Sequence, residues 1–309
     1  MKKASSQQIE TINDCDFKKV AVLLAAFDGE KWLNEQLDSI LNQKDVNVHI
    51  FISIDQSTDN TEALISQLIV SGAPITLVSH RCRFGSAGKN FQFLFKATSD
   101  LLEEFDFVAL SDQDDIWKLD KLRVSINELY TRGVDAVSSN VEAFWDVSGR
   151  RKTIVKSQPQ NSLDHFFESA GPGCTFVMRR CAFNTFQQRL IEKPQLFENI
   201  EYHDWLLYAF CRENDLKWHI IDSPLLHYRQ HETNQLGANT GLAGVLNRIK
   251  LIRNHAYREQ AILIANAAGN SMISKKLSSR WFVLKNIAKT RRNIKDRFLL
   301  ACAVITGLY

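Results

Sequence analysis

The sequence contains no CxxC pair, no apolar stretch long enough to cross a bilayer, no internal repeat and no low-complexity segment. Each absence removes a class of protein. The six cysteines (Cys15, Cys82, Cys174, Cys181, Cys211 and Cys302) are scattered among apolar residues, which suits buried thiols in a reducing compartment and disfavours a zinc site or a disulfide framework. The longest uncharged apolar run, Phe298 to Tyr309, has 12 residues, short of the roughly 20 that a spanning helix needs. MKKASSQQIETINDCDF, at the start, places bases before no apolar core, so neither a signal peptide nor a membrane anchor is expected. Neither a Walker A loop nor a Rossmann fingerprint is present.

What is there reads as a globular chain of 309 residues, 45% hydrophobic and 24% charged, long enough for one large core or a core with an appendage. The net charge of +3 hides an asymmetry. From Gly241 to Tyr309, 13 Lys and Arg stand against two acids, whereas the preceding 240 residues carry a net of −8. An acidic body with a basic tail points to a catalytic domain joined to an element that meets an anionic surface.

Val20 to Ala26 is a continuous apolar run, as expected of a strand buried on both faces. Helical spacing follows at Trp32, Leu33, Leu37, Ile40 and Leu41. The alternation continues with a strand at Val48 to Ile54, a helix at Thr61 to Leu68, a strand at Ile75 to Ser79, a helix at Phe91 to Ala97 and a strand at Phe107 to Leu110. Such alternation predicts an α/β fold with a doubly wound, mostly parallel, Rossmann-like sheet. Further strands are expected at Val134 to Asn140, Val141 to Trp145, after the glycine loop within GPGCTFVMRR (Gly171 to Arg180), at Trp218 to Ile221 and at Leu225 to Tyr228, and helices at Ala182 to Leu190 and Asp204 to Cys211. From about Leu242 the spacing of Val245, Ile249 and Ile252, and later Phe282 and Ile287, predicts two or three amphipathic helices. The expected division is an extension at 1–17, a catalytic domain at 18–240 and a basic helical tail at 241–309, with GANTGLAG (Gly237 to Gly244) at the boundary.

In open sheets of this kind ligands bind beyond the carboxyl ends of the strands. Asp28, Asp55 and Asp112 each fall at such an end. In LSDQDDIWK (Leu110 to Lys118) three aspartates occupy four positions directly after a buried-looking strand. Carboxylates so close disfavour each other's ionisation unless a cation lies between them. A hard divalent ion such as Mg²⁺ or Mn²⁺ suits them. The plainer reading is an N-cap for a helix from Trp117 to Tyr130, and one aspartate can do that.

VAVLLAAFDGEKWLNEQLDSIL, ISIDQSTDNT, LSDQDDIWKLDKL, GPGCTFVMRR, YHDWLLYAF and LLHYRQHETNQLGAN, in this order, resemble the inverting nucleotide-sugar glycosyltransferases of family 2, which have a GT-A fold. SDQDDIW with HDW and YRQH is most similar to the bacterial subgroup usually labelled rhamnosyltransferases. The likeness covers roughly Val20 to Gly237. It implies that Asp112 and Asp114 are the DxD pair, with Asp115 near the metal or the sugar. It implies that Asp28 and Asp55 serve the donor nucleotide, although Ile54 and Gln56 stand where many relatives carry an acid and a glycine. Lys89 and Asn90, in RFGSAGKNF, would line the donor site. Asp204 would be the general base, with His203 beside it. Gly171, Gly173, Cys174 and Thr175 match an acceptor-side segment. His227, Arg229 and His231 alternate in HYRQH, so an extended chain points them to one side; His231 is the expected further metal ligand and Arg229 a cation for the leaving diphosphate.

The expectation is thus an inverting transferase that moves a sugar from a nucleoside diphosphate donor, dTDP-rhamnose or a UDP-hexose, to a hydroxyl of a polyprenyl-diphosphate-linked saccharide in bacterial O-antigen or capsule synthesis. The tail would hold it on the cytoplasmic face of the membrane through anionic lipid, or else simply cap the core. Two rivals stand. A metal-dependent nucleotidyltransferase would also use acids at strand ends, but no glycine-rich nucleotidyl loop occurs near Ala25 to Lys31. A nucleic-acid binder would interleave aromatics with the tail's bases, and this chain does not.

Overall fold

The computed structural model describes residues 17–231 and 256–309. The expected boundary at Gly237 to Gly244 and the spacing of Val245, Ile249 and Ile252 lie outside the described residues. The first strand, β1 (Lys18–Ala26), holds the VAVLLAA run. Its side chains divide by the period of two: Ala21, Leu23 and Ala25 enter one core, and Val20, Val22, Leu24 and Ala26 the other. A strand covered on both faces needs no polar residue, and none occurs within the run.

The alternation then follows the sequence pattern through α1 (Leu33–Leu41), β2 (Val46–Ile54), α2 (Thr61–Val70), β3 (Ile75–Leu77), α3 (Ala87–Ala97) and β4 (Phe107–Ser111). These four strands are parallel, in spatial order β3, β2, β1, β4. Their carboxyl ends therefore lie on one edge.

Beyond β4 come β5 (Ile116–Trp117), α4 (Lys121–Thr131), β6 (Ala136–Phe144), β7 (Arg151–Ile154), β8 (Val177–Arg179), α5 (Arg180–Glu192), α6 (His203–Glu213) and β9 (Trp218–Arg229). The sheet continues from β4 to β8, β6, β9 and β5, with β7 paired to β6. β8 runs antiparallel to both β4 and β6, so this half is mixed where alternation alone implied parallel strands. Two expected pairs of strands each merge into one, β6 and β9. Their shared ladder shifts register beside Asn140, whose amide donates to the Asp222 carbonyl (2.5 Å) and holds the irregular stretch together. The helix expected from Trp117 begins instead at Lys121, because Ile116 and Trp117 pair with His227 and Leu226 of β9.

Five short helices close the chain: α7 (Ala256–Ala267), α8 (Ser271–Leu277), α9 (Arg280–Lys285), α10 (Ile287–Thr290) and α11 (Ile294–Ile305). Ala261, Ile264, Ala265, Leu277, Val283 and Val304 join the same core as Phe91, Phe186 and Leu206. Among the described residues, no helix is long and apolar enough to cross a membrane.

Candidate active site

The ends of β1, β2 and β4 are tied into one edge by side chains. The Gln113 amide clamps Phe27, accepting from its N–H (2.7 Å) and donating to its carbonyl (2.8 Å). Gly29 is required beside it, because a Cβ there would meet the Gln113 amide. Asp28, in left-handed backbone (φ 45°), accepts from the Thr58 N–H (2.6 Å), which joins the β1 end to the turn after β2. The aspartate loop, Asp28 and the Asp55 turn are therefore one rigid unit.

A cavity of about 530 Å³ opens on this edge, lined by Phe27, Asp55, Thr58, Val78, His80 and Arg83 among others. The Asp55 carboxylate forms part of its wall and accepts from the N–H groups of Gln56 (2.8 Å), Phe84 (2.9 Å) and Gly85 (2.8 Å). It thereby fixes the loop after β3, and Gly85 supplies the positive φ (72°) that this loop needs. His80 and Arg81 also line the cavity. The sequence reading missed both; the signal available was a run of bases, HRCR, at a strand's carboxyl end.

The aspartates after β4 divide by depth. Asp115 is fully buried and accepts from the Arg229 N–H (3.1 Å), while its other oxygen has no hydrogen-bond partner. Burial, with Asp114 and Asp112 nearby, raises its carboxyl well above the ordinary range. Lys121 is equally buried, its ammonium 3.1 Å from the Trp117 ring centroid, and desolvation lowers it to about 7. Asp115 and Lys121 are thus buried ionisable groups that follow Asp112 and Asp114 in the sequence. Asp112 is half-buried, and burial together with the charges of Asp114 and Asp204 pushes it up to about 7. Asp114 lies 2.7 Å from His231 Nε2, and His231 stacks on Trp32 with ring centroids 4.2 Å apart.

Two donor sets offer themselves for a cation. Oxygen and sulfur atoms of Asp112, Asp115 and Cys174 lie within 4.8 Å of one another. Burial and the two carboxylates raise the buried Cys174 thiol well above its ordinary value, so it remains a neutral thiol. A neutral thiol is a poor ligand for a hard ion. The alternative is Asp114 with the His231 imidazole 2.7 Å from it and the charge of Asp112 nearby, and carboxylates this crowded are eased by a cation between them.

The second functional segment is the turn before β8. Gly173 packs on α6: a Cβ there would clash with His203 Nε2 and lie 3.4 Å from the Asp204 Cβ. The next residue, Cys174, touches Asp112 and Asp115. Gly173 and Cys174 therefore join Asp204 to the aspartate cluster. His203 is stacked on Phe91 (4.0 Å), and burial lowers it to about 3, so it is a neutral wedge. Asp204 is the second residue of α6 rather than its N-cap; its carboxylate accepts from the Trp205 N–H (2.7 Å). Burial raises its pKa, opposed by that N–H, by the Ser169 hydroxyl and by Lys156.

Four expected positions spend their polar groups within the chain or lie buried. Asn90 is buried, donates to the Ala26 and Ser53 carbonyls (3.3 and 3.2 Å) and accepts from the Ser53 hydroxyl (2.5 Å), so it braces β1 against β2. Thr175 is buried and its hydroxyl donates to the Pro172 carbonyl (2.7 Å). Cys174 is buried, with its sulfur beside the Asp112 and Asp115 carboxylates. The Arg229 guanidinium is held by Asp146 (2.5 Å) and Glu35 and by the Asp114 carbonyl (2.8 Å), so its charge is answered within the chain. Lys89 stays exposed, 3.5 Å from Glu201.

Residues 21–188 match the model of glycosyl transferase family 2. The chain belongs to that family. This glycosyltransferase is 38% identical over 292 residues to the dTDP-rhamnosyl transferase RfbG of Shigella flexneri, covering 93% of this chain and all of the relative. It is 25% identical over 199 residues to the UDP-Glc:alpha-D-GlcNAc-diphosphoundecaprenol beta-1,3-glucosyltransferase WfgD of Escherichia coli, covering 64% of this chain and 71% of that one. Among solved structures, S. aureus TarS 1-349 in complex with UDP-GlcNAc superposes with a TM-score of 0.57 at 16% identity, covering 89% of this chain and 74% of the other. The mannosyltransferase PcManGT of Pyrobaculum calidifontis, in complex with GDP-Man and Mn2+, gives 0.50 at 14% identity, covering 94% and 80%. The fold of the glycosyltransferase is the GT-A arrangement, and the nucleotidyltransferase and nucleic-acid-binder alternatives fall away.

Proposed function

We propose that the chain transfers a rhamnosyl group from dTDP-rhamnose, with inversion, to a hydroxyl of a polyprenyl-diphosphate-linked saccharide during bacterial O-antigen or capsule synthesis, working at the inner face of the membrane. The observation that carries the reaction is the Gly173–Cys174 turn, which touches Asp204 on one side and Asp112 on the other. A base and a diphosphate-side cluster are thereby held on one strand edge with a cavity of nucleotide size. The likeness to RfbG favours dTDP-rhamnose over a UDP-hexose, and the printed name of WfgD supports a lipid-diphosphate acceptor.

In this reading the cavity at Asp55 takes the nucleoside, with Thr58, His80 and Arg83 as contacts. Asp112 and Asp114, with His231 beside Asp114, would hold Mg²⁺ or Mn²⁺, which would neutralise charge on the leaving diphosphate. Asp204 takes the proton of the acceptor hydroxyl as that oxygen forms its bond to the anomeric carbon from the side opposite the leaving group. Its burial makes it more basic than an exposed carboxylate, and the Trp205 N–H fixes its orientation. His203, wedged between Phe91 and Gly173, keeps the start of α6 in place.

Asp204→Asn should abolish transfer from dTDP-rhamnose and leave donor affinity, read by calorimetry, nearly unchanged. Full turnover in that variant removes the general-base assignment. A panel of nucleotide sugars against a lipid-linked acceptor, with product stereochemistry read by NMR, tests donor and inversion together. Turnover that survives a chelator removes the metal from the scheme.

A further inference from the structure

The last helix carries large apolar side chains outward as well as inward. On α11, Ile294, Phe298 and Ile305 recur at helical spacing with Leu299 beside them, and these four are 65–76% exposed. Leu300 and Val304 of the same helix face the core. Trp281 on α9 is 83% exposed. Its neighbour Arg280 donates to the Gly307 carbonyl (3.5 Å), which brings Trp281 to the carboxyl end of α11. A surface helix ordinarily turns one apolar stripe inward and leaves the other side polar; α11 has a second apolar face uncovered.

Charge selects what covers it. Lys275, Lys276, Arg280, Lys285, Lys289 and Lys295 are all exposed on these helices, and Glu259 and Asp296 are the sole acids from 256 to 309. A second copy of the chain packed face to face would set these cations against one another. An anionic bilayer supplies both an apolar interior for Trp281 and Phe298 and a negative surface for the lysines. The face also has a fixed relation to the acceptor side. Arg292, just before α11, donates to the Ser169 carbonyl (2.5 Å), and the Ser169 hydroxyl donates to the Gly171 carbonyl (2.8 Å), in the turn whose Gly173 packs beside Asp204.

We propose that Trp281 and the outer face of α11 dock on anionic lipid, which delivers the Asp204 side of the site to the membrane; this rests on the reading that the acceptor is lipid-linked. The test is sedimentation of the full chain with vesicles of phosphatidylglycerol mixed into phosphatidylcholine, and with phosphatidylcholine alone. Wild type should sediment with the mixed vesicles and be released by high salt. The triple variant Trp281→Ser, Phe298→Ser and Ile305→Ser should bind at least about a hundredfold more weakly, since each large apolar side chain contributes roughly tenfold. Lys285→Gln, Lys289→Gln and Lys295→Gln should each cost roughly fivefold. Calorimetry with dTDP-rhamnose, expected unchanged in every variant, shows that the fold and donor site persist. Wild type left in the supernatant, or a triple variant that sediments like wild type, overturns the proposal. So does a wild-type dimer that ignores vesicles and becomes monomeric in the triple variant, which assigns the face to a second copy. Vesicle binding without nucleotide-sugar binding defeats the transferase reading and leaves this surface standing.

Discussion

Replacing Arg292 by methionine should destabilise the protein more than any change on the tail's outer face. The Arg292 side chain is fully buried where the chain passes from α10 to α11, and its guanidinium donates to Asp164 (2.8 Å) and to the Ser169 carbonyl (2.5 Å). Asp164 is itself fully buried, with Arg212 (3.0 Å) and the Tyr208 hydroxyl (2.9 Å) as its other partners. Methionine keeps most of the volume and removes the charge. Asp164 and Glu168 then lose a cation inside the protein, a change that costs roughly 3–5 kcal/mol when one partner of a buried pair is deleted. For a domain of this size that corresponds to a fall in Tm of roughly 6–20 °C. Differential scanning calorimetry measures it, and a cycle with Asp164→Asn separates the pair from the lost packing: the double variant should be less unstable than the two single losses summed. A Tm within a degree of wild type would refute the idea that this ion network fastens the C-terminal helices to the catalytic core.

The same network sets an acid limit. Burial alone would raise the Asp164 carboxyl, but the nearby His165 ring and the hydrogen-bonded charges of Arg292 and Arg212 outweigh it and lower it from 3.8 to about 2. A depressed carboxylate stabilises the fold above its unfolded pKa, and that contribution, about 2 kcal/mol, is lost as pH falls from near 4 towards 2. Urea midpoints measured down that range should fall less steeply in Asp164→Asn; parallel profiles would count against it. Gly173→Ala should lower kcat by roughly a hundredfold with donor affinity kept, because His203 is stacked on Phe91 and must push Asp204 aside to admit a methyl group; unchanged kcat would show that the turn is slack. In kcat/KM against pH, the acid limb should lie above the ordinary carboxylate range, since burial raises Asp204 and only its ionised form accepts a proton; a limb near pH 4 would show that this carboxyl is not the group titrating. Asp55→Ala should weaken nucleotide binding by freeing the Phe84 and Gly85 N–H groups, and equal affinity would separate that loop from the donor.

Local pattern was enough for the first half of the molecule. VAVLLAA can only be a strand covered on both faces, and its alternation with helical stretches gave the order from β1 to β4 and placed Asp28, Asp55 and Asp112 at strand ends. Order within the sheet depends on contacts far apart in sequence, so the strand after GPGC was legible but its antiparallel direction and its place between β4 and β6 were not. Depth was hidden for the same reason. Asp112 and Asp115 look alike in SDQDD, yet β9 pairing pulls Ile116 and Trp117 into the sheet and buries Asp115, while Asp112 remains half-exposed. Asn90 and Arg229, polar residues in expected positions, turned out to spend their hydrogen bonds on the protein's own backbone and acids. The sequence by itself determined which residue types gather at the strand ends and that the tail is basic and helical. Only the tertiary structure decided which carboxylates face solvent, that Arg292 is fastened inside the core, and that the last helix keeps an apolar face outside, because burial and charge pairing are set by neighbours that the linear order does not reveal.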